Sequence, residues 1–143
     1  AAIPFFILAG NIMETGGMKG RKKELTRMEL HDRLKAAFQV EAIHSEYGMT
    51  ELLSQAYARH DGLFETPNWM KLLLRPEDDP LDLLLPVSGR TQSGAINIID
   101  LANLYSCSFI ATDDLGRQQP TGKMEILGRL DQSDLRGCSL LVV

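Results

Sequence analysis

The sequence predicts an α/β fold in two successive parts. Residues 1–62 form an α/β segment with a glycine loop, and residues 63–143 form a mainly β segment of short, mostly antiparallel strands, the two making one domain or a fragment of one. Two observations carry this. In the first part, apolar stretches of strand length and helix length follow one another as strand, loop, helix, strand, loop. In the second, five short apolar runs are separated by clusters of Pro, Gly, Asp and Ser.

Taken in order, residues 3–9 hold Phe5, Phe6, Ile7 and Leu8 and stop at Gly10, the pattern of a short buried strand. Residues 11–20 follow as a glycine-bearing loop. Residues 22–38 read as a helix, with Leu25, Met28, Leu34 and Phe38 on one face and Glu29 four residues ahead of Arg33. Residues 40–45 form a second short strand, residues 46–51 turn the chain, and residues 52–58 read as a helix. The later strands are expected at 69–74, 95–99, 108–111, 124–127 and 139–143, with turns at 76–80, at Ser88 and Gly89, at 113–116 and at 120–122. Residues 76–86 give no clear signal, and there is no internal repeat or low-complexity tract.

Composition narrows the function classes. With 143 residues, 44% hydrophobic and 24% charged, the chain can bury a core and is neither a disordered tail nor a disulfide-stapled miniprotein. A net charge of −4 lacks the basic excess of a general nucleic-acid binder. Residues 14–35 carry seven basic against four acidic side chains, +3, so the remainder is −7. That stretch is either a solvated helix face or a site for a polyanionic small molecule. Two cysteines, Cys107 and Cys138, fit a reducing compartment, and a cytoplasmic protein is expected. The uncharged stretch 1–13 is too short to span a bilayer, so no transmembrane segment is expected.

Three blocks could carry chemistry. Gly16 and Gly17, between the first strand and the first helix, offer backbone N–H groups to a nucleotide or form a plain connecting turn. In Tyr47, Gly48, Met49, Thr50 and Glu51, an aromatic ring precedes a glycine that lets a flat ligand approach the backbone. A hydroxyl and a hard carboxylate follow, the groups needed to stack a base, bond a phosphate and hold Mg²⁺. A helix start with Thr50 near the cap fits the same residues. Third, Asp114 and Arg129 fall on adjacent strands of a hairpin, where they either bracket a ribose or make a cross-strand charge pair. His31, His44 and His60 have no partners at metal-ligand spacing and read as surface or satisfied histidines.

Together, in this order, the blocks resemble signatures of the adenylate-forming ligase superfamily. Tyr47, Gly48, Met49, Thr50 and Glu51 look like its aromatic-Gly-x-Thr-Glu motif. Asp114, Leu115 and Gly116, then Gly128, Arg129 and Asp131, then Arg136 and Gly137, look like its Gly-Asp-Leu-Gly and Gly-Arg-x-Asp…Arg-Gly motifs, with Asp113 in place of the first glycine. Fifteen residues separate Asp114 from Arg129, similar to the family's interval. Within the superfamily the chain resembles the acyl-protein synthetases, the family of the synthetase subunit of the bioluminescence fatty-acid reductase. The matching phrases are 14–21, 45–49, 54–57, Asp100 to Asn103, and 136–139. The fold implied is the later part of an adenylate-forming enzyme domain: the superfamily's phosphate loop would lie before residue 1, while the missing C-terminal lid fits the acyl-protein synthetases, which also end soon after Arg-Gly-Cys.

The resemblance implies a chemistry and its cast. A carboxylic acid, fatty acids foremost, attacks ATP to give acyl-AMP and pyrophosphate, and the acyl group then moves to an enzyme cysteine. Gly16, Gly17, Tyr47, Gly48 and Met49 would line the nucleotide, with Tyr47 stacking on the base. Thr50 would bond the α-phosphate, Glu51 would hold Mg²⁺, and Asp114 and Arg129 would hold the ribose. Cys138 would accept the acyl group, its alternative being a small buried strand residue, whereas Cys107 reads as core. A reductase subunit is the implied partner. Two rivals are a phenylacetate-type carboxylate–CoA ligase and a catalytically inactive nucleotide- or acyl-binding module.

Overall fold

In a computed structural model of the chain, residues 11–15 and 26–130 are described. They form two sheets. The smaller contains β1 (Met13–Thr15), β2 (His44–Tyr47) and β3 (Ala56–Ala58), with β1 parallel to β2 and β2 antiparallel to β3. The larger is fully antiparallel in the order β4 (Leu63–Phe64), β8 (Met124–Arg129), β7 (Phe109–Gln118), β6 (Gln92–Asp100), β5 (Met70–Arg75). One helix, α1 (Arg27–Phe38), crosses between β1 and β2, which a parallel pair requires. This is the α/β class expected, with the antiparallel strands in the second half. No helix of the described residues is long and apolar enough to cross a membrane.

Several boundaries differ from expectation, each for a local reason. Helix α1 begins at Arg27 with Thr26 as its cap, and residues 22–25 of the expected helix lie outside the described residues. The Thr26 hydroxyl accepts from the backbone N–H of Glu29, and the Glu29 carboxylate accepts from the N–H of Thr26 at 2.9 Å, a capping box that fixes the first turn. Its buried side chain is His31, while Met28 and Phe38, expected inward, are exposed. The helix docks through polar contacts instead: Arg27 Nε lies 2.9 Å from Oε1 of Glu14 on β1, and His31 Nε2 lies 3.5 Å from the same oxygen and 3.2 Å from the Ser45 hydroxyl. That strand fell inside the expected loop 11–20, since three residues with no apolar run give no periodic signal.

The helix expected over 52–58 is absent. Leu52, Ser54, Ala56 and Ala58 are buried while Leu53 and Tyr57 are exposed, a period of two that belongs to extended chain. The backbone N–H groups of Leu53 and Ser54 go to side chains of Asn103 and Asp100 rather than to a helical ladder. Residues 113–116, expected as a turn, lie inside β7, where the chain bulges. Cys107, expected in a core strand, is an exposed free thiol before β7. The strands expected at 3–9 and 139–143, with Gly16, Gly17, Asp131, Arg136, Gly137 and Cys138, lie outside the described residues.

The apolar core runs between the sheets, where Leu52, Ala56, Phe64, Leu72, Leu74, Ile96, Ile98 and Ile126 pack together. Gly116 sits against it: a Cβ there would stand 2.9 Å from both Cγ1 and Cδ1 of Ile96. The glycine therefore lets β7 close down on β6 beside Asp114.

Candidate functional site

The site grows from the end of β2. Alternation along that strand turns Ser45 and Tyr47 inward. The Tyr47 ring meets Phe64 edge-on, with centroids 6.2 Å apart, and its hydroxyl donates to Oδ2 of Asp114 at 2.7 Å. Burial, then the bond to Asp114 and its negative charge, push the Tyr47 phenol above its ordinary range, so it stays a proton donor.

Asp114 owes its place to irregularities on both sides of β7. Between the pairs Ala95–Leu115 and Asn97–Ala111, β6 advances two residues while β7 advances four, so 112–114 bulge from the ladder. Bulges of this kind re-aim side chains. The Thr112 hydroxyl secures the bulge by donating to the carbonyl of Ile96 at 2.9 Å and accepting from the N–H of Asp114. Buried Arg75 adds a bond from Nη2 to the Thr112 carbonyl and one from Nε to Oδ1 of Asn97. On the other side Asp114 pairs in register with Arg129, whose Nε stands 3.8 Å from Oδ1 of Asp114. Gly128, just before Arg129, takes φ 138°, a backbone conformation that favours glycine. The Asp114 side chain is 16% exposed and that of Arg129 65% exposed, so the pair sits at the rim, open to a ligand.

Beyond Tyr47 the chain leaves the sheet. Gly48, Thr50 and Glu51 are exposed, Met49 is half-buried, and Leu52 N–H closes the turn on the Met49 carbonyl at 3.1 Å. Among the described residues no hydrogen bond or ion pair engages the Glu51 carboxylate or the Thr50 hydroxyl. The turn is held from beneath. Asn103 Nδ2 donates to the Glu51 carbonyl at 2.6 Å, and Asn103 Oδ1 accepts from Leu53 N–H at 2.9 Å. An open groove of about 530 Å³ runs beside it, with Leu53, Gln55, Tyr57 and Trp69 among its walls.

The structure thus brings Tyr47, Asp114 and Arg129 to one point and places Gly48, Met49, Thr50 and Glu51 directly downstream. Of the residues assigned no role from sequence, Asn103, Asp100, Arg75 and Thr112 support them. Asp100 and Asn103 left a trace as part of the phrase matched for the resemblance, and Thr112 as the first residue of the block that holds Asp114. Among the described residues no three His, Cys, Asp or Glu side chains group to hold a metal. Glu51 offers an exposed carboxylate, the donor type a hard divalent cation takes.

No protein-family model and no curated protein sequence matches the chain. Solved structures do match. Apo MatB from Rhodopseudomonas palustris superposes with a TM-score of 0.56 at 18% identity, covering 85% of this chain and 26% of its own. ATP-bound MatB from the same organism gives 0.57 at 17%, covering 83% and 25%. An ATP-bound chimera, RpMatB-BxBclM B3, gives 0.51 at 20%, covering 71% and 23%. The chain therefore spans about a quarter of the length of each. At such identities the comparison establishes the fold alone: a mixed α/β unit shared with part of the MatB structures.

Proposed function

We propose that this chain carries the nucleotide-binding part of an ATP-dependent ligase that activates a carboxylic acid as its acyl-adenylate. The observation that supports it best is the convergence of Tyr47 and Arg129 on the two oxygens of Asp114, beside the exposed Thr50 and Glu51. Residues from two separate motifs meet where one nucleotide could touch both.

On this reading the Asp114 carboxylate accepts from the ribose hydroxyls, Tyr47 fixes its orientation, and Arg129 closes over the same sugar. The base rests on the segment from Tyr47 to Met49, where exposed Gly48 offers bare backbone. Thr50 donates to an α-phosphate oxygen. Glu51 holds Mg²⁺, which when bound supplies positive charge against the phosphate oxygens. The acid's carboxylate oxygen attacks the α-phosphorus, the bond to the β-phosphate oxygen breaks, and pyrophosphate leaves. A thiolate then attacks the acyl carbonyl and AMP departs. Following the sequence resemblance, Cys138 is that thiol, the acid is a fatty acid, and a reductase subunit takes the product.

The test is carboxylate-dependent ATP–pyrophosphate exchange by the full-length protein across short, aromatic and long-chain acids. Exchange that needs a particular acid and collapses in Glu51→Gln supports adenylation and names the acid class. No exchange from folded protein contradicts it and leaves a binding module. Labelled acyl retained on the protein, lost in Cys138→Ser, supports the acyl-protein synthetase, whereas turnover only with added coenzyme A identifies a CoA ligase.

A further inference from the structure

We propose that Asn103 and Asp100 are positioning residues for Glu51: from the 3-10 helix Leu101–Asn103 and the residue that caps it, they clamp the backbone of residues 51–54 and so fix where the Glu51 carboxylate stands. The inference rests on the reading of Glu51 as the ligand of a nucleotide-bound divalent cation. Its geometry is independent of that reading.

The turn's outward side chains, Thr50 and Glu51, are held by nothing of their own among the described residues. Their placement depends on the backbone beneath them. A single buried amide spans that backbone, because Asn103 donates from Nδ2 to the Glu51 carbonyl at 2.6 Å and accepts at Oδ1 from Leu53 N–H at 2.9 Å. Its Nδ2 also reaches the carbonyl of Cys107 at 3.3 Å, which ties the clamp to the start of β7. The Asn carboxamide donates and accepts from one planar group, and its short side chain fits the 1%-exposed site.

Asp100, wholly buried, takes the next residue. Its Oδ2 accepts from Ser54 N–H at 2.9 Å, and its Oδ1 from the Ser54 hydroxyl at 2.8 Å and from Ala102 N–H at 3.0 Å. The last bond shapes the 3-10 helix that presents Asn103. Trp69 Nε1 donates to the same Ser54 hydroxyl at 2.9 Å, and Leu101 N–H bonds the Trp69 carbonyl, so the clamp is braced on the residue that leads into β5. Two consecutive backbone donors, one carbonyl and one hydroxyl within four residues of an exposed carboxylate are thus bound by buried side chains. Groups that orient a metal's ligands act in this way, and their loss commonly weakens metal affinity by about ten-fold or more.

The test compares, in the full-length protein, equilibrium binding of ATP with Mn²⁺, read by the Mn²⁺ resonance signal, and of ATP with chelator present. Asn103→Leu is expected to weaken the Mn²⁺-dependent affinity by about ten-fold or more while leaving metal-free ATP binding near the wild-type value. Ile98→Val, a mild core change away from the clamp, is expected to alter neither. Should Asn103→Leu fail to fold, Ser54→Ala removes both hydroxyl bonds from the same clamp, to Asp100 and from Trp69, and is expected to shift the ratio in the same direction. Folded variants that keep the wild-type ratio, or lose both affinities equally, overturn the inference. A wild-type protein whose ATP binding is indifferent to the metal overturns the assignment of Glu51 itself.

Discussion

The Tyr47 hydroxyl donates to Oδ2 of Asp114 at 2.7 Å, joining the small sheet to the large one at a single half-buried carboxylate. A hydrogen bond to a charged acceptor in such a place contributes about 1.5–3 kcal/mol. Tyr47→Phe is therefore expected to lower unfolding free energy by about that amount and to weaken nucleotide binding, measured by urea unfolding and by titration with ATP.

Arg129 behaves oppositely. Its side chain is 65% exposed and stands 3.8 Å from Asp114, an arrangement that contributes less than about 1 kcal/mol to stability. Arg129→Ala is expected to leave the urea midpoint nearly unchanged while reducing affinity for ATP. A large fall in stability with intact ATP affinity would return the pair to a purely structural role.

Gly116→Ala tests the closeness of β7 to the core. The added Cβ would meet Ile96 at 2.9 Å and Leu74 Cδ2 at 3.2 Å, so the strand must move or the core must repack. A loss of about 1–3 kcal/mol is expected from overpacking. Because Asp114 lies two residues away, ATP binding should fall along with the melting temperature.

Asp100 gives the fold a pH dependence of known sign. Burial by itself raises the carboxyl, but the bonds from the Ser54 hydroxyl and the backbone N–H groups of Ala102 and Ser54 outweigh it and hold the group below the usual carboxylate range. A lowered folded-state value stabilises the protein above the unfolded carboxyl's pKa and loses that contribution as pH falls through the folded value. Asp100→Asn should therefore be less stable than wild type near neutral pH, with the gap narrowing in acid. Chemical unfolding across the acid range reads this directly.

Legibility in the sequence followed the reach of each interaction. Strands β5 and β6 were visible because Leu72, Leu74, Ile96 and Ile98 pack in local apolar runs. The pairing of Asp114 with Arg129 was visible because one hairpin brings them together. The segment 52–58 misled, since Leu52, Leu53, Ala56 and Ala58 suit a helix until Asp100 and Asn103, nearly fifty residues away, take the backbone donors. Polar β1 was hidden for the same reason: its place is set by a parallel partner and by Arg27 and His31 of the helix between them. The bulge at 112–114 reads locally as a turn, and only its neighbours on both sides show it to be strand.

The most direct measurement of the central claim is the affinity of the full-length protein for ATP against 2′,3′-dideoxy-ATP, in wild type and in Asp114→Ala. If the Asp114 carboxylate receives the ribose hydroxyls, wild type prefers ATP by about ten-fold or more, and the preference disappears in the variant. Equal binding of the two nucleotides by wild type, or a preference that survives the loss of Asp114, would contradict the account.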